Sequence, residues 1–84
     1  MNLIEKAKKI RTQEDFTQFV MCLAEDFKHN PKDWENVSIH EYLFALASWV
    51  EDMDGYYKNQ NIPLRENIDW SFLATILLAA KVYE

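Results

Sequence analysis

The chain has 84 residues, of which 49% are hydrophobic and 14% aromatic, with one Gly, two Pro and one Cys. These values set the expectation of one domain, exclude an intramolecular disulfide, and argue against a loop-rich or disordered polymer. The net charge of −5 is unevenly placed: Lys6, Lys8, Lys9 and Arg11 outweigh Glu5 at the N-terminus, and the remainder is strongly acidic. An acidic body repels phosphate, so a nucleic-acid partner is not expected, whereas a basic protein surface is attracted.

The N-terminal MNLIEKAKKI lacks the apolar run of a signal peptide. Ile76 to Ala80, the longest apolar run, is far short of the ~20 residues that span a bilayer. A soluble, cytoplasmic protein without a membrane partner is the expectation.

Taken in order, the spacing predicts a short helix over 2–10, with Leu3, Ala7 and Ile10 on one side and Ile4 beside them. Its basic residues suit the negative end of the helix dipole. Thr12 is the expected N-cap of a second helix over 13–29, with Glu14 and Asp15 in its first turn. Its apolar stripe is Phe16, Phe19, Val20, Leu23 and Phe27. Cys22 reads as a small core residue. Asn30-Pro31 ends the helix, because a residue before proline avoids the helical region. Residues 32–36 then form a connection whose Trp34 is expected to cover the core.

Ser38-Ile39-His40-Glu41 has the form of a capping box, with Ser38 accepting from the Glu41 amide and Glu41 reaching back to the Ser38 amide. Val37 and Tyr42 are spaced as a hydrophobic staple. The third helix is expected over 39–54, with Leu43, Leu46, Trp49, Val50 and Met53 buried and Gly55 as its stop. Because Phe44, Ala45 and Ala47 make a second side apolar, this helix is expected to be the one around which the others pack. A polar loop follows. Asp69, with Asn67 as second choice, caps a last helix over 70–83. That helix carries Trp70, Leu73, Ala74 and Leu77 on one face and Phe72, Ile76, Ala79, Ala80 and Tyr83 on another. It is too apolar to be left open, so other helices or a homodimer through the last helix must cover it. The expected fold is all-α, a compact four-helix bundle.

No arrangement of residues assigns an activity. Asp52-x-Asp54-Gly55 resembles the middle of a calcium loop, but Val50 and Asn61 fall where its first and last carboxylates belong. One Cys and two His are too few for a zinc site, and one Gly is too few for a phosphate loop. No cofactor is expected. Three acids, Glu51, Asp52 and Asp54, crowd what reads as the C-terminal end of the third helix, where the dipole disfavours them. Tyr56 and Tyr57 follow, offering contact area with a polar tip. These five residues are the candidate binding site for a partner protein, a basic one by charge. The leading functional expectation is therefore a non-enzymatic interaction protein. The alternative is a small enzyme or ligand-binding domain with a pocket between helices.

Asp15-Phe16, Asn30-Pro31, Trp34-Glu35-Asn36, Trp49 with Asp52, and Ala79-Ala80-x-x-Tyr83-Glu84 together resemble a family of short bacterial proteins of unknown function. The resemblance covers nearly everything from Thr12 onward and implies a stand-alone bacterial protein, with no activity to carry over. Size, acidity and the Tyr56-Tyr57 pair are also loosely similar to the colicin DNase immunity proteins, acidic helical inhibitors of basic toxins, although the rest of the chain departs from them.

Overall fold

The computed structural model describes residues 2–84. Four α-helices, α1 (Leu3–Lys8), α2 (Gln13–His29), α3 (Ile39–Asn59) and α4 (Trp70–Ala80), are joined by loops and a 3-10 turn at Pro31–Asp33. The fold is all-α, with no strand among the described residues. No helix is long and apolar enough to cross a membrane. The chain divides into two compact units, Met1–Ala47 and Ser48–Glu84, with the boundary inside α3.

Local chemistry sets each helix start. The side chains of Asn2, Thr12, Ser38 and Asp69 accept the amide of the third helical residue, at 2.9, 3.0, 3.1 and 2.9 Å. In two cases the acid at that third position reaches back, but one residue further than expected. Glu41 accepts from the Val37 amide at 3.3 Å, not from Ser38, and Asp15 accepts from the Arg11 amide at 3.0 Å. Each box thus satisfies the amide of the residue before the cap, where the loop would otherwise leave it unpaired.

Within the first unit, α2 is the organising element. The close backbone approaches between elements join α1 to α2 and α2 to the 3-10 turn. This corrects the expectation that α3 is the centre. The half-covered stripe of α2 is Phe19, Cys22, Leu23, Asp26 and Phe27, while Phe16 and Val20 are exposed. The covered face is therefore rotated from the purely apolar stripe toward Cys22 and Asp26. On α1 the half-buried positions are Leu3 and Lys6, with Ile10 just beyond the helix, whereas Ile4 and Ala7 face water. The Lys6 stem lies along α2 and its Nζ donates to Cys22 Sγ at 3.3 Å. Arg11 closes the end of α1 by donating to the Lys8 and Ile10 carbonyls, both at 3.0 Å.

Gly55 does not stop α3, which runs on to Asn59. The stop is Asn61, at φ 56°. Its amide donates to the Lys58 carbonyl at 3.2 Å, and the Ile62 amide donates to the Tyr57 carbonyl at 3.0 Å. These paired bonds are a Schellman motif, and Asn serves because it tolerates the left-handed region better than other non-glycine residues. Met53, 8% exposed, is buried; Leu46, Val50 and Tyr57 are half-buried beside it on the helix. Trp49, placed in the core by its spacing with Leu46 and Met53, stands at the edge of that face and is 51% exposed.

In the second unit, α4 ends at Ala80, short of the expected 83, and has no close backbone neighbour among the described residues of its unit. Every one of its residues is exposed.

Two substitutions test these ends. Gly55→Ala should stabilise by about 0.5–1 kcal/mol in urea unfolding, because the position is helix interior and a Cβ there meets nothing within 4 Å. Ser38→Ala should destabilise by about 1 kcal/mol in the same assay.

Candidate functional site

The lengthening of α3 redraws the proposed binding site. Glu51, Asp52, Asp54, Tyr56 and Tyr57 all lie within the helix. The acids therefore sit inboard of the final turn, which carries Lys58 and suits the dipole. The unfavourable helix end inferred from the sequence is absent.

At roughly 100° of rotation per residue, Trp49, Tyr56 and Asp52 fall within about 60° of one another on one side, Glu51 and Asp54 fall together on another, and Tyr57 falls on the covered side with Val50 and Met53. The structure thus groups Trp49, Asp52 and Tyr56, separates Glu51 and Asp54 from them, and leaves Tyr57 half-buried on the covered side, where its ring meets those of Trp49 and Tyr56. Ring centroids are 6.2 Å apart for Trp49–Tyr56, 6.1 Å for Trp49–Tyr57 and 5.3 Å for Tyr56–Tyr57, the last two pairs edge to face. Such geometry contributes about 0.5–1.5 kcal/mol per pair beyond burial and fixes the rings relative to one another. Trp49 and Tyr56 are each about half exposed. No ion pair or side-chain hydrogen bond within the described residues of the second unit engages Asp52.

The first unit holds a different feature. An open groove of about 370 Å3 runs between α2 and the start of α3, lined by Val20, Leu23 and Phe27 on one side and Ile39, Tyr42 and Leu43 on the other. Trp34 also lines it. It covers apolar surface, as expected, but the element carrying it is set by a 3-10 turn, which Pro31 favours by its fixed φ. The Trp34 ring meets Phe27 edge to face at 5.2 Å and Tyr42 at 6.0 Å. Its indole N–H donates to Asp26 Oδ2 at 2.8 Å, and Asn30 Nδ2 donates to Asp26 Oδ1 at 3.1 Å. Asp26 is the residue that sequence reasoning missed. Only its i, i+4 spacing to Asn30 and i, i+8 spacing to Trp34 point to it in the sequence. The staple residues Val37 and Tyr42 both line this groove.

The nearby His29 uses Nδ1 locally, 2.8 Å from the Glu25 carbonyl oxygen and 3.5 Å from its carboxylate. His40, in the first turn of α3, stands about 18 Å along the helix axis from Asp52, so the two do not form one site.

The geometry defines an all-α protein with an exposed aromatic cluster on one helix and an apolar groove at the foot of the same helix. Over residues 12–84 the chain matches, and belongs to, the family of unknown function DUF7660. No curated protein and no solved structure matches it.

Asp26→Leu leaves the Trp34 and Asn30 donors without their acceptor. Loss of hydrogen bonds to a charged group should destabilise the fold by about 1.5–3 kcal/mol, and the Trp34 emission should shift as its ring loosens. Urea unfolding of this variant beside Asp33→Leu, a nearby acid without such bonds, checks both effects.

Proposed function

We propose that this is a non-enzymatic protein that works by binding another protein, and that the contact surface is the Trp49–Asp52–Tyr56 side of α3, with Tyr57 packed behind the two rings. The observation that carries this reading is the half exposure of Trp49 and Tyr56 in an aromatic cluster beside the Asp52 carboxylate, which has no partner among the described residues. Aromatic side chains with a polar tip are the residues most often found at the energetic centres of interfaces. An acidic chain with a free carboxylate among them fits a basic partner, with attraction felt mainly in the association rate. Glu51 and Asp54, on the other side of the helix, contribute to the long-range field rather than to the contact.

A second reading rests on the groove of the first unit, whose volume lies within the ~300–1,000 Å3 of small-ligand sites. Its apolar lining suits an apolar ligand or the anchors of an amphipathic helix.

The two sides of α3 provide the test. Asp52→Lys and Asp54→Lys change the net charge equally but lie on different sides. Affinity capture from the native host, read by mass spectrometry at low and high salt, should yield a basic protein with the parent and with Asp54→Lys, and lose it with Asp52→Lys and with Trp49→Ala. Equal loss from both charge variants would show that only net charge matters and would remove this surface. Trp49→Ala serves as a fair probe because a half-exposed side chain should cost well below the ~3–5 kcal/mol of a buried tryptophan.

A further inference from the structure

We infer that the group this surface takes from its partner is an arginine side chain, seated in a notch over Gly55 with its guanidinium on the Asp52 carboxylate and against the Trp49 and Tyr56 rings. The inference rests on the surface proposed above and names the chemistry it reads. Turned about the helix axis, Trp49 and Tyr56 stand roughly 60° and 40° from Asp52 on one flank, and Ser48 and Gly55 stand roughly 40° and 60° from it on the other. All five residues are exposed. The carboxylate therefore has two large rings on one flank and two of the smallest side chains on the other. A Cβ added at Gly55 would meet nothing within 4 Å, so the space beside Asp52 is open down to the helix backbone. A glycine inside a helix weakens it, and this one is not a stop, because α3 runs on to Asn59. What Gly55 supplies is room.

Charge selects a cation for that room. Lys58, the only Lys or Arg of α3, falls on the side of Glu51 and Asp54 and away from Asp52. No ion pair among the described residues engages Asp52. Shape then selects arginine over lysine. A guanidinium is planar, so it lies flat on an aromatic ring while its edge donates two parallel bonds to a carboxylate. It is also more weakly hydrated than an ammonium, which matters on a half-exposed surface where displaced water is poorly replaced. Trp gives the strongest of the cation–ring attractions, and Trp49 stands one turn from Asp52.

The probes are N-acetyl-arginine methylamide and its lysine and citrulline counterparts. Each is titrated over roughly 1–100 mM into the full chain at constant ionic strength, with NMR of the Trp49 indole and Tyr56 ring as the readout. The arginine compound should shift both residues and bind at least about threefold more tightly than the lysine one, and citrulline should leave them unmoved. No shift with arginine overturns the inference, and so does equal binding of lysine, which would mean charge alone. Gly55→Leu fills the notch with a good helix former, so its urea midpoint should rise while arginine binding weakens at least about threefold. Asp52→Asn should weaken it likewise, and Asp54→Asn should not. Unchanged binding by Gly55→Leu or Asp52→Asn overturns the inference. The surface itself is judged separately: a captured partner lost with Trp49→Ala but retained with Gly55→Leu keeps the surface and removes the arginine notch.

Discussion

The first unit depends on the carboxylate of Asp26. Its two oxygens hold the Trp34 indole and the Asn30 amide, and its own backbone carbonyl accepts from the Asn30 amide N–H at 2.8 Å. One residue thereby ends α2, seats the 3-10 turn and fixes a ring that lines the apolar groove. Such charge-assisted bonds are shorter and stronger than neutral ones, and a half-buried carboxylate left without them is costly. This explains why α2 rather than α3 gathers the neighbouring elements: its polar residue supplies directional bonds that an apolar stripe cannot.

The second constraint is the length of α3. A glycine inside a helix costs only about 1 kcal/mol, so it is overridden wherever a better stop lies ahead. Asn61 offers that stop by adopting the left-handed conformation and completing two end bonds. Extending the helix through Tyr56 and Tyr57 converts a string of neighbouring residues into opposed faces. Trp49, Tyr56 and Asp52 gather on one of them, and Glu51 and Asp54 on another, with Tyr57 on the covered side. The functional reading changes accordingly from a cluster of acids to an aromatic surface with one carboxylate in it.

Lys6 and Arg11 are engaged within the first unit, on Cys22 Sγ and on backbone carbonyls. The apolar surface is likewise distributed rather than pooled: the groove belongs to α2 and the start of α3, and the uncharged helix is α4. An exposed uncharged helix is uncommon on a soluble monomer because such patches associate.

The sequence by itself determined the all-α class, the starts of α2, α3 and α4 and the full extent of α2, whereas α1, expected over 2–10, runs from Leu3 to Lys8 behind an Asn2 cap. These depend on interactions within four residues, namely a side-chain oxygen facing an amide three positions on or a proline that forbids continuation. It also indicated Trp34 as a cover and Met53 as buried, since apolar periodicity reports which side of a helix turns from water. Only the tertiary structure decided that Trp49 stands at the edge of that side, that Asp26 belongs to the covered stripe of α2, and that α3 passes through Gly55. Each of those outcomes is settled by a competing partner or a competing stop. Whether a polar residue is covered depends on the donors that reach it from elsewhere in the chain, and the pattern of one helix carries no record of them.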